Sequence, residues 1–375
     1  MSSGEHAVKR RRPRTWVVVT ICAVVVLLAA GGFVAVQHLG TQAGANPTKP
    51  PPALTVISVS PSGVNVDAGS TIAVQFSTDL APNSPMPTLS PPVAGSWAVL
   101  SPSLLQYEAS GPLVPGATET ITVPGGSSGV VGSLGQRLAQ NVTTQFTVAP
   151  GSTLRLQQLL AELGYLPLTF TPAAPVTSPA QLGNDQVGSF SWRWAYQPSS
   201  LVTLWTPGTN NVITQGAVMN FENQNGLKTD GFAGPQVWTD LLADVQFGKT
   251  NAQPWDYVLV SQTLPETATV YKDGAEVYST LVNTGVAGAT TENGTWPVFS
   301  RYTVTTMSGT NPDGSHYSDP GIPWVSYFHG GDALHGFVRG RYGYPQSDGC
   351  VEMPISNAAV VYPLTPLGTL VTVQA

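Results

Sequence analysis

The sequence predicts a mainly β, multidomain protein, and three observations carry that prediction. Gly (39) and Pro (33) punctuate the 375 residues so densely that turns and short strands should dominate over long helices. β-prone runs of strand length recur through most of the chain, each bounded by turn residues. Apolar residues at helical spacing are confined to a middle stretch, residues 152–246, and one short segment near the end. The length suits about two to three domains, and 42% hydrophobic residues suffice for real cores.

The N-terminus sets the compartment. Lys9, Arg10, Arg11, Arg12 and Arg14 crowd residues 1–14, expected as a cytoplasmic tail. Residues 15–36 then run without a charge, long enough as a helix to cross a bilayer core of ~30 Å. Basic residues just before the span keep the N-terminus inside, so the body is expected outside the cytoplasmic membrane. Cleavage as a signal peptide near Ala45 is the alternative, but the apolar run exceeds the usual h-region. Beyond residue 14 the body holds 10 basic and 20 acidic residues, a net charge of −10. That balance excludes nucleic acid as a partner, because such binding is driven by phosphate neutralisation.

Residues 37–53 contain Pro47, Pro50, Pro51 and Pro52 and read as a semi-rigid linker. Residues 54–149 carry four β-prone runs separated by Pro and Gly, the spacing of an immunoglobulin-like β-sandwich. In residues 152–246, Leu154, Leu156, Leu159, Leu160 and Leu163 predict a helix ending at Gly164-Tyr165. Further helical stretches cover Ala217 to Glu222 and Val237 to Leu242. Residues 255–375 return to strands, with Lys272-Asp273-Gly274 as a hairpin signal and a short helix from Asn357 to Tyr362. This last domain is expected to be mostly antiparallel.

Chemistry concentrates between His316 and Cys350. Cys22 lies in the apolar span, so Cys350 stands alone outside the membrane, where an odd cysteine suggests a reactive thiol. A thiol nucleophile needs a base, and His335 lies 15 residues upstream across a Gly-rich stretch, a spacing that suits neighbouring strands. Gly349 permits a tight turn, and backbone N–H groups there suit an oxyanion hole. His316, His329 and His335 also suit zinc with Cys350 or Asp319, though no close His-x-x-x-His or Cys-x-x-Cys spacing supports it.

Two resemblances sharpen this reading. Gly164-Tyr165, Phe221-Glu222, Gly226-Leu227, Asp230-Gly231, Gly234-Pro235 and Trp238 resemble the small helical peptidoglycan-binding domain. Here Glu222 replaces the usual Gln, and residues 168–205 form a long insert. His335-Gly336, then Ser347-Asp348-Gly349-Cys350 and Pro354, resemble the signature of the L,D-transpeptidase catalytic domain. Thr284-Gly285, Thr291, Gly294-Thr295 and the closing stretch from Val361 to Val371 match its surroundings.

The second resemblance implies a cysteine acyltransferase, without cofactor or metal, that forms 3→3 cross-links between peptidoglycan stem peptides. It assigns Cys350 as nucleophile and His335 as base and acid, with the Gly336 carbonyl orienting the imidazole. The N–H groups of Gly349 and Cys350 would hold the oxyanion. Tyr317, Trp324, Tyr327, Ser347 and Asp348 would line the substrate cleft, and carbapenems would acylate Cys350. Two departures stand out. Asp348 replaces the family's usual His, and Glu352 stands where Arg or Asn is common. Both carboxylates would raise the thiol pKa, so Arg339 or Arg341 is expected to pair with one of them. L,D-carboxypeptidase activity, or a weakened wall-binding protein, are the alternatives.

Overall fold

The computed structural model describes residues 49–176, 178–195 and 197–375. The cytoplasmic tail (1–14), the membrane anchor (15–36) and most of the linker (37–53) lie outside the described residues. No helix among the described residues is long and apolar enough to cross a membrane. The described chain is mainly β and multidomain, with few helices.

The first part contains β1 (Val56–Ser60), β2 (Gly63–Val66), β3 (Ile72–Phe76), β4 (Thr88–Ser90), β5 (Gly95–Ser101), β6 (Leu104–Ala109), β7 (Thr118–Val123) and β8 (Val142–Val148). They form two four-stranded sheets, ordered β1-β3-β6-β5 and β2-β8-β7-β4. Alternate residues point inward, so Val74, Phe76 and Leu105 from one sheet meet Ile121, Val123 and Phe146 from the other. Each such fully buried side chain contributes about 1.5–3 kcal/mol.

The middle part holds α1 (Thr153–Glu162), β9 (Leu168–Pro172), β10 (Gly188–Trp192), α2 (Ser199–Val202), α3 (Val212–Gln224) and α4 (Pro235–Gln246). Ser152 caps α1 by accepting the Arg155 N–H, and Asn211 caps α3 by accepting that of Thr214. Pro235 opens α4 at its first turn. Glu222, the departure from the helical-domain pattern, accepts the N–H groups of Asp230 (3.0 Å) and Gly231 (2.8 Å). It anchors the loop before α4. The insert contributes the β9–β10 hairpin and α2.

The last part contains β11 (Asp256–Ser261), β12 (Thr267–Lys272), β13 (Ala275–Leu281), β14 (Gly294–Pro297), β15 (Ser300–Thr310), β16 (His316–His329), β17 (Asp332–Gly336), β18 (Val351–Met353), α5 (Ile355–Val361) and β19 (Leu370–Gln374). One sheet runs β13-β12-β11-β19-β14 and the other β15-β16-β17-β18. Asp273 and Gly274 both take positive φ (48° and 76°) in the β12–β13 turn, as its sequence predicts. The pairings are mostly antiparallel, as expected, with two exceptions. β11 runs parallel to β19, and β17 runs parallel to β18. Parallel neighbours need a crossover, and the segment 337–350 supplies it for β17 and β18. Val258, Val260, Val270, Val371 and Val373 pack against Phe328, Leu334, Val351 and Met353 between the sheets, with Ala358 and Val361 of α5. The outer face of the four-stranded sheet is thereby left to the cleft.

Candidate active site

Strand alternation builds the site. In β17, Leu334 points into the core, so Ala333 and His335 point the other way. The parallel register sets Leu334 opposite Val351 and His335 opposite Glu352. Cys350, one residue before β18, therefore shares the outer face with His335. Met307, Tyr317, Asp319, Ile322, His335, Phe337, Arg339, Asp348, Cys350 and Glu352 line the cleft there.

His335 is 3% exposed, and its Nδ1 lies 3.1 Å from the Gly336 carbonyl oxygen. A carbonyl only accepts, so the proton sits on Nδ1 and Nε2 keeps its lone pair. Burial holds the imidazole below its ordinary pKa, outweighing the opposing effects of the Gly336 hydrogen bond and the Glu352 charge. At neutral pH the ring is a free base.

Cys350 is partly exposed, and its thiol donates to the Gly331 carbonyl at 3.7 Å. Burial pushes the thiol up to about 12; the Ala333 N–H opposes this, while Asp332, Glu352 and Asp348 add to it. Cys350 thus rests as a thiol, and to act as a nucleophile it would need a base to take its proton.

The loop before Cys350 is held from below. Thr291 Oγ1 donates to the Gly349 carbonyl (2.7 Å) and accepts the Gly285 N–H (2.9 Å). Ser347 N donates to the Thr284 carbonyl, and Thr284 is gripped by buried Glu266 through its N–H (2.8 Å) and hydroxyl (2.7 Å). Gly349 adopts φ 113°, and a Cβ there would lie 2.5 Å from Asp332 Oδ1. Only glycine fits that position without strain.

Glu352 meets Arg339 in a two-pronged pair, Nε to Oε2 at 2.7 Å and Nη2 to Oε1 at 2.8 Å. The guanidinium also lies 4.6 Å from the centre of the Phe337 ring. Of the two arginines expected to neutralise the added carboxylates, Arg339 does so at Glu352, while Arg341 stacks on Tyr344. Asp348 is exposed at the rim.

The other expected cleft residues divide. Tyr317 lines the cleft, and half-buried Tyr327 packs beside Cys350 in the same apolar cluster. Trp324 does not reach it. Trp324 shares the inner face of β16 with Ser326 and Phe328, packs into the core and lies 5.5 Å from the Tyr362 ring. Ser347 is also withdrawn: it is 1% exposed and its hydroxyl donates to the Cys350 carbonyl. Two residues that the sequence reading passed over touch the nucleophile loop, Gly331 and Asp332. The signal for them was the His329-Gly330-Gly331-Asp332 turn, two titratable residues around two glycines just before His335. Buried Asn283, which holds the crossover through Arg341, Gly343 and Gln346, carried no signal of its own. Among the described residues no group of three or more His, Cys, Asp or Glu side chains is arranged to hold a metal ion.

A thiol, a neutral imidazole with a free nitrogen on the same sheet face, and a glycine turn at the nucleophile suit acyl transfer through a thioester. Residues 256–373 match the family model YkuD, the L,D-transpeptidase catalytic domain. Among solved structures, the chain is similar to an L,D-transpeptidase from Mycobacterium smegmatis at 13% identity, covering 86% of this chain and 100% of that one, with a TM-score of 0.30. It is similar to L,D-transpeptidase 3 from Mycobacterium tuberculosis in complex with a faropenem-derived adduct at 13% identity, covering 85% and 98%, TM-score 0.30. The catalytic domain of the E. faecium L,D-transpeptidase is 24% identical over 33% of this chain and 100% of that one, TM-score 0.30. No curated protein matches the chain.

Proposed function

We propose that this transpeptidase-family chain forms 3→3 peptidoglycan cross-links through a Cys350 thioester, held at the outer face of the cytoplasmic membrane by residues 15–36. The observation that carries the reading is the parallel β17–β18 register, which sets His335 and Cys350 on one face while Gly336 leaves Nε2 of His335 free.

In the first half-reaction the Cys350 sulfur attacks the carbonyl between residues three and four of a donor stem tetrapeptide. Nε2 of His335 takes the thiol proton, and the N–H groups of Gly349 and Cys350 hold the oxyanion. The C–N bond breaks, the proton passes to the departing D-Ala amine, and a thioester remains. In the second half-reaction the side-chain amine of a third stem residue gives a proton to His335 and attacks the thioester. A new amide forms and sulfur leaves, recovering its proton from His335. Tyr317, Tyr327 and Asp348 are the cleft residues that would contact the stems. A carbapenem offers sulfur a strained amide carbonyl and should acylate Cys350 in the same way.

The test is incubation of the full chain with a purified disaccharide-tetrapeptide, with Cys350→Ala alongside, read by mass spectrometry. A dimer lacking one D-Ala, absent with the variant, is the expected product. Tripeptide alone would make the protein an L,D-carboxypeptidase, with water as acceptor. Equal product from the variant would remove Cys350 from the mechanism.

A further inference from the structure

A histidine–carboxylate pair, His329 and Asp332, bounds the turn that contacts Gly349 and Cys350. The turn from β16 to β17 is His329-Gly330-Gly331-Asp332. Its Gly331 carbonyl accepts the Cys350 thiol at 3.7 Å, and the N–H of Ala333, the residue after the turn, also reaches the sulfur. Asp332 Oδ1 abuts Gly349, filling the space where a Cβ would stand. One short turn thus touches both residues that immediately precede β18.

The turn is clamped at its two ends. His329 stacks on Trp296 with ring centroids 4.3 Å apart. Its Nδ1 lies 3.5 Å from Asp332 Oδ2, and its Nε2 lies 3.7 Å from Glu292 Oε2. Burial and the Glu292 charge raise the Asp332 pKa, while His329 opposes them. The groups facing Cys350 are His335 and Asp332 from β17, Glu352 with its partner Arg339, Asp348, and the phenols of Tyr317 and Tyr327. Glu352 already has a guanidinium. Among the described residues, the ion-pair partner of Asp332 is the His329 imidazole.

We propose that His329 and Asp332 are positioning residues for Cys350: the pair fixes the turn that holds the thiol, and the imidazole beside Asp332 screens that carboxylate from the Gly349–Cys350 turn. The proposal rests on Cys350 being the nucleophile. It makes thiol reactivity depend on His329, a residue outside the cleft lining.

Alkylation by iodoacetamide reads the thiol without any transpeptidase substrate. Sulfur displaces iodide, a C–S bond forms, and the thiol proton goes to buffer. The full chain is alkylated at pH values from 6 to 9, and the Cys350 peptide is followed by mass spectrometry to separate it from Cys22. Asp332→Asn is expected to speed alkylation about three- to tenfold, because a nearby negative charge is removed. His329→Gln, which removes the imidazole beside Asp332, is expected to slow it by a similar factor. In the Asp332→Asn background His329→Gln should change nothing further. His329→Lys, which places a cation beside Asp332 without the ring stacking, should restore at least the parent rate. Rates within twofold of the parent for both single variants would overturn the proposal. So would an equal His329→Gln effect with and without Asp332, or failure of His329→Lys to rescue. Those results would leave the cross-linking assay untouched, and failure of cross-linking would leave the alkylation comparison standing.

Discussion

Arg339 and Glu352 meet through two parallel hydrogen bonds of 2.7 and 2.8 Å, directly beside the register position of His335. A carboxylate two residues from a thiol would otherwise oppose formation of both the thiolate and the oxyanion. The planar guanidinium matches the carboxylate geometrically, and stacking on Phe337 fixes its plane. The pair thereby makes an acidic residue tolerable at a site that must stabilise negative charge.

Arg339→Met should cost about 1–3 kcal/mol of stability, since it leaves Glu352, with its side chain 6% exposed, without its partner. That range sits below the fully buried case because Arg339 is itself partly exposed. Acylation of Cys350 by a carbapenem should slow as well, and Glu352→Gln in the same chain should restore both. Thermal denaturation and intact-mass kinetics check this. A parent-like Arg339→Met would show that the pair does no electrostatic work.

Thr291→Val keeps the shape of the side chain and removes the hydroxyl that joins Gly285 to Gly349. Two buried backbone groups lose their partner, at about 1–3 kcal/mol. Displacement of the Gly349 turn should lower the cross-linking rate by roughly tenfold or more. Initial rates with the tetrapeptide substrate measure the loss. An unchanged rate would mean that Gly349 is held by the Glu266 and Thr284 contacts alone.

Asp256 titrates in the folded state near neutrality. Burial raises its pKa to about 7, Lys272 opposes this, and Asp273 adds to it. Its Oδ1 has no hydrogen-bond partner. The folded pKa exceeds the ordinary carboxylate value, so the folded state binds the proton more tightly. Stability from this group is therefore full at low pH, falls as pH rises from about 4 to about 7, and is fully lost above. Asp256→Asn should flatten that slope and stabilise the protein at pH 8 by about 1–3 kcal/mol. Melting temperatures between pH 4.5 and 8 check it. A variant that melts lower than the parent at pH 8 would refute this account of Asp256.

Local signals were legible and distant pairings were not. The leucines from Leu154 to Leu163 predicted a helix, and α1 spans Thr153–Glu162. Asp273-Gly274 predicted a hairpin because few residues accept positive φ. The need to neutralise Glu352 or Asp348 pointed to Arg339 or Arg341 on electrostatic grounds alone. Trp324 was misplaced because an aromatic near a nucleophile reads the same on either strand face, and only the pairing of β16 decides which face is inward. The roles of Glu266, Asn283 and Asp332 depend on partners 18, 58 and 17 residues away, at Thr284, Arg341 and Gly349. No periodicity encodes such contacts.

The match to the catalytic family begins at residue 256, but the apolar core does not stop there. Tyr257, Tyr271 and Leu370 pack with Leu166, Phe221 and Leu241 of the helical part, and Ser200 in the insert lies 3.3 Å from the Tyr257 hydroxyl. Trp194 and Trp255 face each other across the same seam at 5.9 Å. Cutting the chain at that border would expose an apolar face on the half that matches the catalytic family. The helical part thus supplies one wall of the core on which the catalytic-family segment rests.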